Sequence, residues 1–203
     1  MIQRNRKFVV GLTGGIACGK STALGQFEKL GWSVLSADNV ASEILKNDAG
    51  VRLEIIQRWG VHLLDDRGSI DKTALARIIF SEESERSWVG GLLHPIIRSK
   101  WISFVQSCPS HKCMIELPLL FENNLQSRFN CTLSTFAPIT MMLKRIYARG
   151  LSHADAEARV ESQWSVSKKA DLADYVVWGG GSHEFLKQQV LSLDLTLSHL
   201  FNL

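Results

Sequence analysis

Short apolar runs rich in β-branched residues recur along the chain, and each run is followed by a stretch with helical periodicity. The runs occupy residues 8–13, 32–37, 113–117, 131–136 and 175–178. Apolar strands that alternate with helices are typical of a parallel sheet covered by crossover helices. The pattern therefore predicts an α/β fold, with core segments at residues 1–39, 107–140 and 167–203.

A long stretch without a convincing strand separates the second run from the third. Three groups of positions recur there at helical spacing: Leu53, Ile56 and Gln57; Leu75, Ile78 and Ile79; and Trp88, Leu92, Ile96 and Phe104. We interpret them as successive amphipathic helices, the last one bent near Pro95. The sequence thus predicts a helical insertion over residues 40–106.

Capping signals predict two further helices on either side of a glycine. Pro138 is placed to start a helix that runs through Arg149 and is closed by Gly150. Ser152, with Asp155 three residues later, resembles a capping box that starts the next helix. The pair is predicted to form a helix–turn–helix arm over residues 141–166.

The composition limits the class of protein. The chain has 203 residues, of which 45% are hydrophobic and 21% charged, and this suits one soluble globular core with an insertion. The 23 Lys and Arg against 20 Asp and Glu leave a net charge of +3, too little to predict a nucleic-acid or membrane partner. Four cysteines are too few for a secreted disulfide framework, so we expect a cytoplasmic protein.

No run of about 18 apolar residues exists, so no transmembrane helix is predicted. Arg4, Arg6 and Lys7, followed by an apolar segment, imitate the start of a signal peptide. Glycines interrupt that segment and Lys20 directly follows it, which argues against a cleavage site there. A second interpretation of the same residues fits better.

The strongest motif lies directly after the first predicted strand. Residues 14–21, GGIACGKS, match G-x-x-x-x-G-K-[ST] between a strand and a helix, the context that a phosphate-binding loop (P-loop) requires. In such a loop, backbone N–H groups converge on a β-phosphate, Lys20 bridges the β and γ oxygens, and Ser21 offers its hydroxyl to Mg²⁺. The motif predicts nucleoside triphosphate chemistry, and the alternative is a glycine-rich turn without a ligand.

The rest of the chain favours a small-molecule kinase over a nucleotide-dependent switch. The N-K-x-D motif that reads guanine is absent, and the sequence DDRG at residues 65–68 is interpreted as a surface turn. A kinase needs a carboxylate near the attacking hydroxyl. Asp38, after the second predicted strand, is the candidate, with a helix N-cap as the alternative role.

A kinase also needs a mobile basic arm that neutralises the transferred phosphoryl group. Arg145 and Arg149 are four residues apart on the helix that enters the arm, so they share one face, and Arg159 lies on the returning helix. These three side chains could converge on phosphates. The alternative is that they are solvated and paired with Asp155 and Glu157.

Six segments together resemble the dephospho-CoA kinase family, in order and over nearly the whole chain. They are GLTGGIACGKST, SAD at residues 36–38, LLHPII at 92–97, PLLFEN at 118–123, LKRIYARGLS at 143–152, and QWS with ADYVV near the end. The resemblance implies ATP-dependent phosphorylation of the ribose 3′-hydroxyl of dephospho-CoA, the last step of coenzyme A synthesis. It also implies a P-loop kinase with a five-stranded parallel sheet, a helical acceptor-binding insertion and a helical lid. Another small-molecule or nucleotide kinase is the alternative.

Matching positions assign roles by the same resemblance. The ATP site would comprise Gly14, Gly15, Ala17, Cys18, Gly19, Lys20, Ser21, Thr22 and Arg149. Lys20, Asp38 and Arg145 would be catalytic. Asp38, His94 and Glu122 would contact the acceptor, the alternatives being a satisfied histidine at a helix bend for His94 and a loop carboxylate for Glu122.

Three positions depart from the family pattern. Ser36 stands where the family usually begins D-A-D, Lys72 where an arginine is common, and Gly179 where an asparagine often follows the last strand. Ser36 leaves Asp38 without a possible partner, and Gly179 leaves the adenine contacts unassigned.

One cysteine cluster invites a metal interpretation. Cys108, His111 and Cys113 have a spacing that could indicate zinc, but no second ligand pair is suitably spaced. We interpret the cysteines as reduced thiols near the start of a strand.

Overall fold

The computed structural model describes residues 7–201. Over that range the strands form a five-stranded sheet in the order β2-β3-β1-β4-β5, and every neighbouring pair is parallel. The strands are β1 (Phe8–Gly14), β2 (Ser33–Ser36), β3 (Lys112–Glu116), β4 (Cys131–Phe136) and β5 (Tyr175–Trp178). The predicted α/β fold with five parallel strands is confirmed.

Helices connect these strands and extend the chain. They are α1 (Lys20–Lys29), α2 (Ala37–Asn47), α3 (Ala49–Trp59), α4 (Lys72–Ser81), α5 (Glu83–Ser107), α6 (Ile139–Tyr147), α7 (His153–Glu161), α8 (Val166–Leu172) and α9 (His183–Phe201), with short 3₁₀ helices at Val61–Leu63 and Gln126–Arg128. Between residues 7 and 201, no helix has the length and apolarity needed to span a bilayer.

The core lies on the face of the sheet that α1 and α9 cover. Leu12 of β1 and Leu133 of β4 are fully buried there, together with Phe27 of α1 and Leu197 of α9. Burial along almost the whole length of β1, β3 and β4 explains why these runs are continuously apolar and do not alternate.

The end of β1 lies between two parallel neighbours. Leu12 is in register with Glu116 of β3, and Gly14 is in register with Thr135 of β4. From Gly14 the chain passes through α1 to β2, on the far side of β3, whereas β4 and β5 lie on the other side. The strand order therefore changes direction at the carboxyl end of β1, where open α/β sheets bind their ligands.

Among the described residues, 7–36 with 104–201 form one compact unit, and 37–103 form another. Two helical faces in this unit differ from the prediction. In α3 the buried residues are Val51 and Ile55, whereas Leu53 is 59% exposed. In α5 the buried residues are Val89, Leu93, Ile97 and Trp101, one position beyond the predicted Trp88, Leu92 and Ile96. In α5 the predicted and the observed residues are all apolar, so hydrophobicity alone does not choose between the two faces.

Two predictions about the same unit concern backbone geometry. Helix α5 contains Pro95 and continues through it without interruption. The predicted surface turn at residues 65–68 is confirmed, because Asp65 Oδ1 accepts hydrogen bonds from the N–H groups of Arg67 and Ser69, both at 2.9 Å. Gly68 completes the turn with φ of +72°.

The arm consists of α6 and α7. Gly150 has φ of +83° in the turn between them, and Ser152 Oγ accepts a hydrogen bond of 3.1 Å from the N–H of Asp155, so the predicted cap of α7 is confirmed. Helix α6 ends two residues earlier than predicted. Helix α8 was not predicted, because the short segment VSKKADL has too few apolar residues to show a helical period.

The N-terminal residues bear on the signal-peptide alternative. Arg4 and Arg6 lie outside the described residues. The apolar segment after them forms β1, whose Val10 and Leu12 are fully buried in the sheet.

Candidate active site

The P-loop connects the end of β1 to the start of α1. Gly14, Ala17 and Gly19 have positive φ values of 139°, 59° and 96°, so the chain turns sharply between the two elements. Gly19 is the N-cap of α1 and has no side chain to accept a hydrogen bond from the first N–H groups of the helix. Free N–H groups at a helix N-terminus attract phosphate oxygens.

Close packing explains two of the loop glycines. A Cβ atom on Gly14 would collide with the backbone and hydroxyl of Thr135 on β4. A Cβ atom on Gly15 would collide with Val166 of α8 and would lie 2.9 Å from Met142 Cε of α6. The loop is therefore held on one side by the sheet and on the other by helices from both ends of the arm.

Two cations lie at this loop. Lys20 is buried, and its Nζ donates hydrogen bonds to the carbonyl oxygens of Gly14 (3.2 Å) and Gly15 (2.9 Å). Arg145 Nη1 of α6 donates a hydrogen bond of 2.9 Å to the carbonyl oxygen of Ala17. The structure thus brings together Lys20 and Arg145, which the sequence places far apart.

The other predicted ATP-site residues occupy different surroundings. Cys18 is fully buried beside Ala137 and Met142, and burial raises the pKa of its thiol, although the charge of Lys20 opposes that rise. Ser21 is exposed and Thr22 half-buried in the first turn of α1. Arg149 is exposed in the turn that follows α6.

The chemistry of Ser21 fits a bound Mg²⁺. Magnesium prefers oxygen ligands, and in nucleotide sites it takes few of them from the protein, because phosphates and water supply the rest. The Ser21 hydroxyl supplies an oxygen at an exposed position in the first turn of α1, next to Lys20. A hydroxyl in that position is suited to an ion carried by the nucleotide.

For Arg145, the structure differs from the alternative in which the arm arginines pair with Asp155 and Glu157. Asp155 accepts a hydrogen bond of 2.6 Å from Ser152 Oγ at the start of α7. Glu157 contacts His153 Nδ1 at 3.1 Å. Neither carboxylate holds Arg145, which instead contacts the P-loop.

Glu122 contacts a lysine and a backbone N–H group. Its Oε1 lies 2.8 Å from Lys169 Nζ and accepts a hydrogen bond of 2.9 Å from the N–H of Trp164. Lys169 is fully buried, and burial lowers the pKa of its ammonium group, although Glu122 opposes that change. Sequence analysis missed Lys169, since it lies in the unpredicted α8 and no local pattern identifies a pairing with a distant loop.

A buried carboxylate, Glu116, also escaped sequence analysis. Glu116 ends β3, is 3% exposed, and is in register with Leu12 of β1 and Ser36 of β2. It therefore lies at the carboxyl edge of the sheet, beside the strand that leads into the P-loop. A charged residue that closes an apolar run was the available signal, because charged residues are seldom buried without a specific partner.

Asp38 and His94 belong to the unit formed by residues 37–103. Helix α2 begins at Ala37, so Asp38 lies in its first turn and is not its N-cap, and the side chain is exposed. His94 lies inside α5; partial loss of water around the ring, and then the charge of Arg98, lower its pKa. Their roles toward the acceptor stay predictions.

The departure at Gly179 has a structural explanation. Gly179 follows β5 and donates a backbone hydrogen bond of 2.7 Å to Phe136. A Cβ atom at this position would collide with the carbonyl group of Cys18. The turn after β5 therefore packs backbone against backbone with the P-loop, and no side chain fits at position 179.

The cysteine cluster at the start of β3 consists of free thiols. Cys108 Sγ and Cys113 Sγ lie 3.0 Å apart, and both residues are buried. Burial, and then the neighbouring Cys108, raise the pKa of Cys113 to about 12. Across residues 7–201, no three His, Cys, Asp or Glu side chains are grouped so that they could hold a metal ion.

A five-stranded parallel sheet with GGIACGKS between β1 and α1, and an arginine-bearing arm at that loop, defines a P-loop kinase. The particular family follows from comparison with known proteins. The family model for dephospho-CoA kinase matches residues 8–184, so the chain belongs to the dephospho-CoA kinase family. This confirms the resemblance noted from the motifs.

Individual relatives agree with this assignment. A dephospho-CoA kinase from Geobacillus kaustophilus is 31% identical over 188 residues, which covers 91% of this chain and 94% of the relative. A solved structure from Thermus thermophilus has a TM-score of 0.76 at 28% identity, covering 95% of this chain and 98% of that one. Dephospho-CoA kinase from Campylobacter jejuni has a TM-score of 0.68 at 29% identity, covering 94% and 97%.

Proposed function

We propose that this chain transfers the γ-phosphoryl group of ATP to the ribose 3′-hydroxyl of dephospho-CoA, giving coenzyme A and ADP. The observation that carries the proposal is the convergence of Lys20 and Arg145 on the P-loop of a chain from this family. Phosphoryl transfer involves little covalent chemistry by the protein, so catalysis comes from positioning and from stabilising charge.

The donor side uses the P-loop residues. The free N–H groups before and within the first turn of α1 bind the phosphates, with the β-phosphate at the helix N-terminus. Lys20 and Arg145 release the carbonyl oxygens of the loop and donate to phosphate oxygens, where they stabilise charge as the γ-phosphoryl group moves. Arg149, one turn further along the arm, adds a third positive charge when the arm closes over ATP.

Mg²⁺ belongs to this donor side. Ser21 would hold the ion together with oxygens of the nucleotide, and the ion supplies neutralisation of the β- and γ-phosphate charge.

The acceptor side uses the other unit. Asp38 accepts the proton of the attacking 3′-hydroxyl, and its exposed carboxylate in the first turn of α2 is accessible for that role. The helical insertion at residues 40–106, with His94, provides a surface for the parts of the acceptor beyond its ribose. Binding energy from those remote parts orients the hydroxyl for in-line attack.

The proposed substrates and setting follow from the same chemistry. We propose ATP and dephospho-CoA as the small-molecule partners and the cytoplasm as the location, where the four free and buried thiols stay reduced. The small net charge of +3 gives no reason to add a nucleic-acid or membrane partner.

A direct assay tests the acceptor. Release of ADP is measured at fixed Mg·ATP with dephospho-CoA, adenosine, AMP, gluconate and shikimate, and NMR locates the new phosphate. We expect kcat/KM to be highest for dephospho-CoA, with phosphate on the 3′-oxygen, because the shorter adenosine and AMP lack the remote binding groups. Preference for a sugar acid, or phosphate on another oxygen, would show a kinase with a different acceptor.

A further inference from the structure

Lys169 is a buried cation whose three protons all have acceptors. Its Nζ donates to the carbonyl oxygen of Pro118 (2.6 Å) and to Gln163 Oε1 (3.4 Å), and it forms the ion pair with Glu122 Oε1 (2.8 Å). An ammonium group has three donors and no acceptor, so this set satisfies it fully. Lys169 is 0% exposed, so its ammonium group is shielded from solvent.

One side of this cluster is connected to the P-loop. The carbonyl oxygen of Pro118 also accepts a hydrogen bond of 3.1 Å from Thr13 Oγ1, and Thr13 directly precedes the loop. Val166, in the first turn of the helix that carries Lys169, packs against Gly15. Lys169 and Thr13, in the strand that leads into the loop, therefore share the carbonyl oxygen of Pro118 as a hydrogen-bond acceptor.

The other side is connected to the end of the arm. Glu122 Oε1 binds the N–H of Trp164, and Gln163 binds Lys169; both residues follow α7, where the chain leaves the arm. Ser165 then caps α8 by accepting a hydrogen bond of 3.2 Å from the N–H of Lys168. The returning end of the arm is thus held by polar contacts to Glu122 and Lys169.

Apolar contacts also join the arm to the P-loop. Ala17 packs against Ile146 and Ala156, and Cys18 packs against Met142. Apolar packing is not directional, whereas hydrogen bonds require defined donor and acceptor geometry. The polar cluster therefore adds a defined orientation to this packing.

A buried ion pair is a poor source of stability, because the cost of removing two charges from water offsets their attraction. Apolar side chains of the same volume would stabilise the fold equally well. An ion pair with directed hydrogen bonds instead fixes one defined geometry of the segments that it joins. This physical argument favours a positioning role for the Lys169–Glu122 pair.

We propose that Lys169 and Glu122 are positioning residues, whose buried pair fixes the returning end of the arm against the strand before the P-loop and thereby places Arg145 at that loop. This rests on the proposed function, because phosphoryl transfer is one of its readouts. It replaces direct acceptor binding as the role of Glu122. Neither side chain touches the reacting atoms in this role.

Four variants test the proposal: Lys169→Met, Glu122→Gln, the double variant, and Lys187→Met as a matched control. Lys187 forms an exposed pair with Glu184 at 3.4 Å, so its variant removes a lysine from an ion pair without burial. For each variant, kcat and the KM values for ATP and dephospho-CoA are measured, together with hydrogen exchange of the backbone amides at residues 163–165.

We expect the Lys169 and Glu122 variants to show the same loss of activity. Lys169→Met and Glu122→Gln should each lower kcat by on the order of 10- to 100-fold and raise KM for ATP, because a misplaced arm no longer presents its arginine. KM for dephospho-CoA should change less than about twofold. The double variant should lose no more than the worse single variant, since both act through one interaction. Exchange at residues 163–165 should accelerate in both single variants and stay unchanged in Lys187→Met.

Three results would overturn the proposal. An effect of Glu122→Gln confined to KM for dephospho-CoA would show that Glu122 binds the acceptor. Losses that multiply in the double variant would show independent roles, and unchanged exchange at residues 163–165 would show that the pair does not hold the arm. If Lys169→Met does not fold, Glu122→Gln and the double variant decide the question. Hydrogen exchange does not depend on turnover, so failure of the proposed reaction in the unmodified protein is recognised separately.

Discussion

Arg145 on the arm and Ala17 in the P-loop are joined by a hydrogen bond of 2.9 Å from Nη1 to the carbonyl oxygen. The guanidinium group therefore lies within the loop that binds phosphate, on a helix that enters from the end of β4. An arginine has five donors in a rigid planar fork, so the remaining N–H groups can reach further acceptors at the same place.

Arg145→Met should lower kcat by roughly 100-fold or more, because an arginine that stabilises the transferring phosphoryl group contributes strongly to the rate. Lys144→Met is the control, since Lys144 is the exposed neighbour on the same helix. Steady-state kinetics with Mg·ATP and dephospho-CoA provide the measurement. Equal rates for the two variants would contradict a catalytic role for Arg145.

Lys20→Ala should keep the fold and lose activity by on the order of 10³-fold, because its ammonium group stabilises charge on the transferring oxygens. Lys29→Ala, at the exposed end of the same helix, should retain full activity. Circular dichroism checks the fold and ADP release gives the rate. Near-normal turnover in folded Lys20→Ala protein would remove the P-loop from the mechanism.

Asp38→Asn should lower kcat far more than it raises KM for ATP, because its proposed partner is the acceptor hydroxyl. Its free energy of unfolding should stay within about 0.5 kcal/mol of the unmodified protein, since Asp38 is not the N-cap of α2. Asp71→Ala is the contrasting variant. Asp71 caps α4 by accepting from Thr73 and Ala74, so its loss should cost about 1 kcal/mol with little change in kcat.

Those two variants separate catalysis from helix capping. Denaturant unfolding supplies the stability and steady-state kinetics supply kcat. A loss of stability in Asp38→Asn without a loss of rate is the pattern that contradicts the assignment.

Gly179→Ala should weaken binding of Mg·ATP, because the added methyl group collides with the carbonyl of Cys18 and displaces the P-loop. Gly25→Ala is the control: Gly25 lies inside α1 with open space around its Cβ position, so alanine should stabilise the helix by about 0.5–1 kcal/mol. Calorimetric titration with Mg·ATP measures the affinity of each variant, and thermal unfolding measures its stability. Unchanged ATP affinity in Gly179→Ala would show that the turn after β5 does not shape the site.

The arm, residues 141–166, should close over bound nucleotide and bring Arg149 toward the phosphates. Hydrogen exchange is compared with and without a non-hydrolysable ATP analogue plus dephospho-CoA. We expect the backbone amides of α6 and α7 to exchange more slowly when the ATP analogue and dephospho-CoA are both bound. Identical exchange in the two conditions would argue against closure.

The sequence predicts well what depends on local pattern. The strands, the P-loop and the cap at Ser152 each follow from a few consecutive residues whose conformational preferences agree. The prediction of the buried face of α5 was wrong. The observed residues Val89, Leu93 and Ile97 are as apolar as the predicted ones, so tertiary packing selects the face.

The sequence does not reveal contacts between distant segments. Glu122 lies in the loop after β3 and Lys169 in α8, and each alone looks like an ordinary surface charge. Their pairing depends on how the sheet brings those segments together. The same holds for Gly179, whose collision with Cys18 becomes apparent only when the turn after β5 is placed against the P-loop.

Gly15 lies between Met142 at the outgoing end of the arm and Val166 beyond its returning end. A displacement of either helix therefore presses on the loop that holds the nucleotide. Thermodynamic linkage makes such coupling reciprocal: if closure of the arm tightens ATP binding by some factor, ATP must favour the closed arm by the same factor. Substitutions in the arm that never touch ATP can thus alter its affinity, and nucleotide affinity becomes a measure of the conformational equilibrium of the arm.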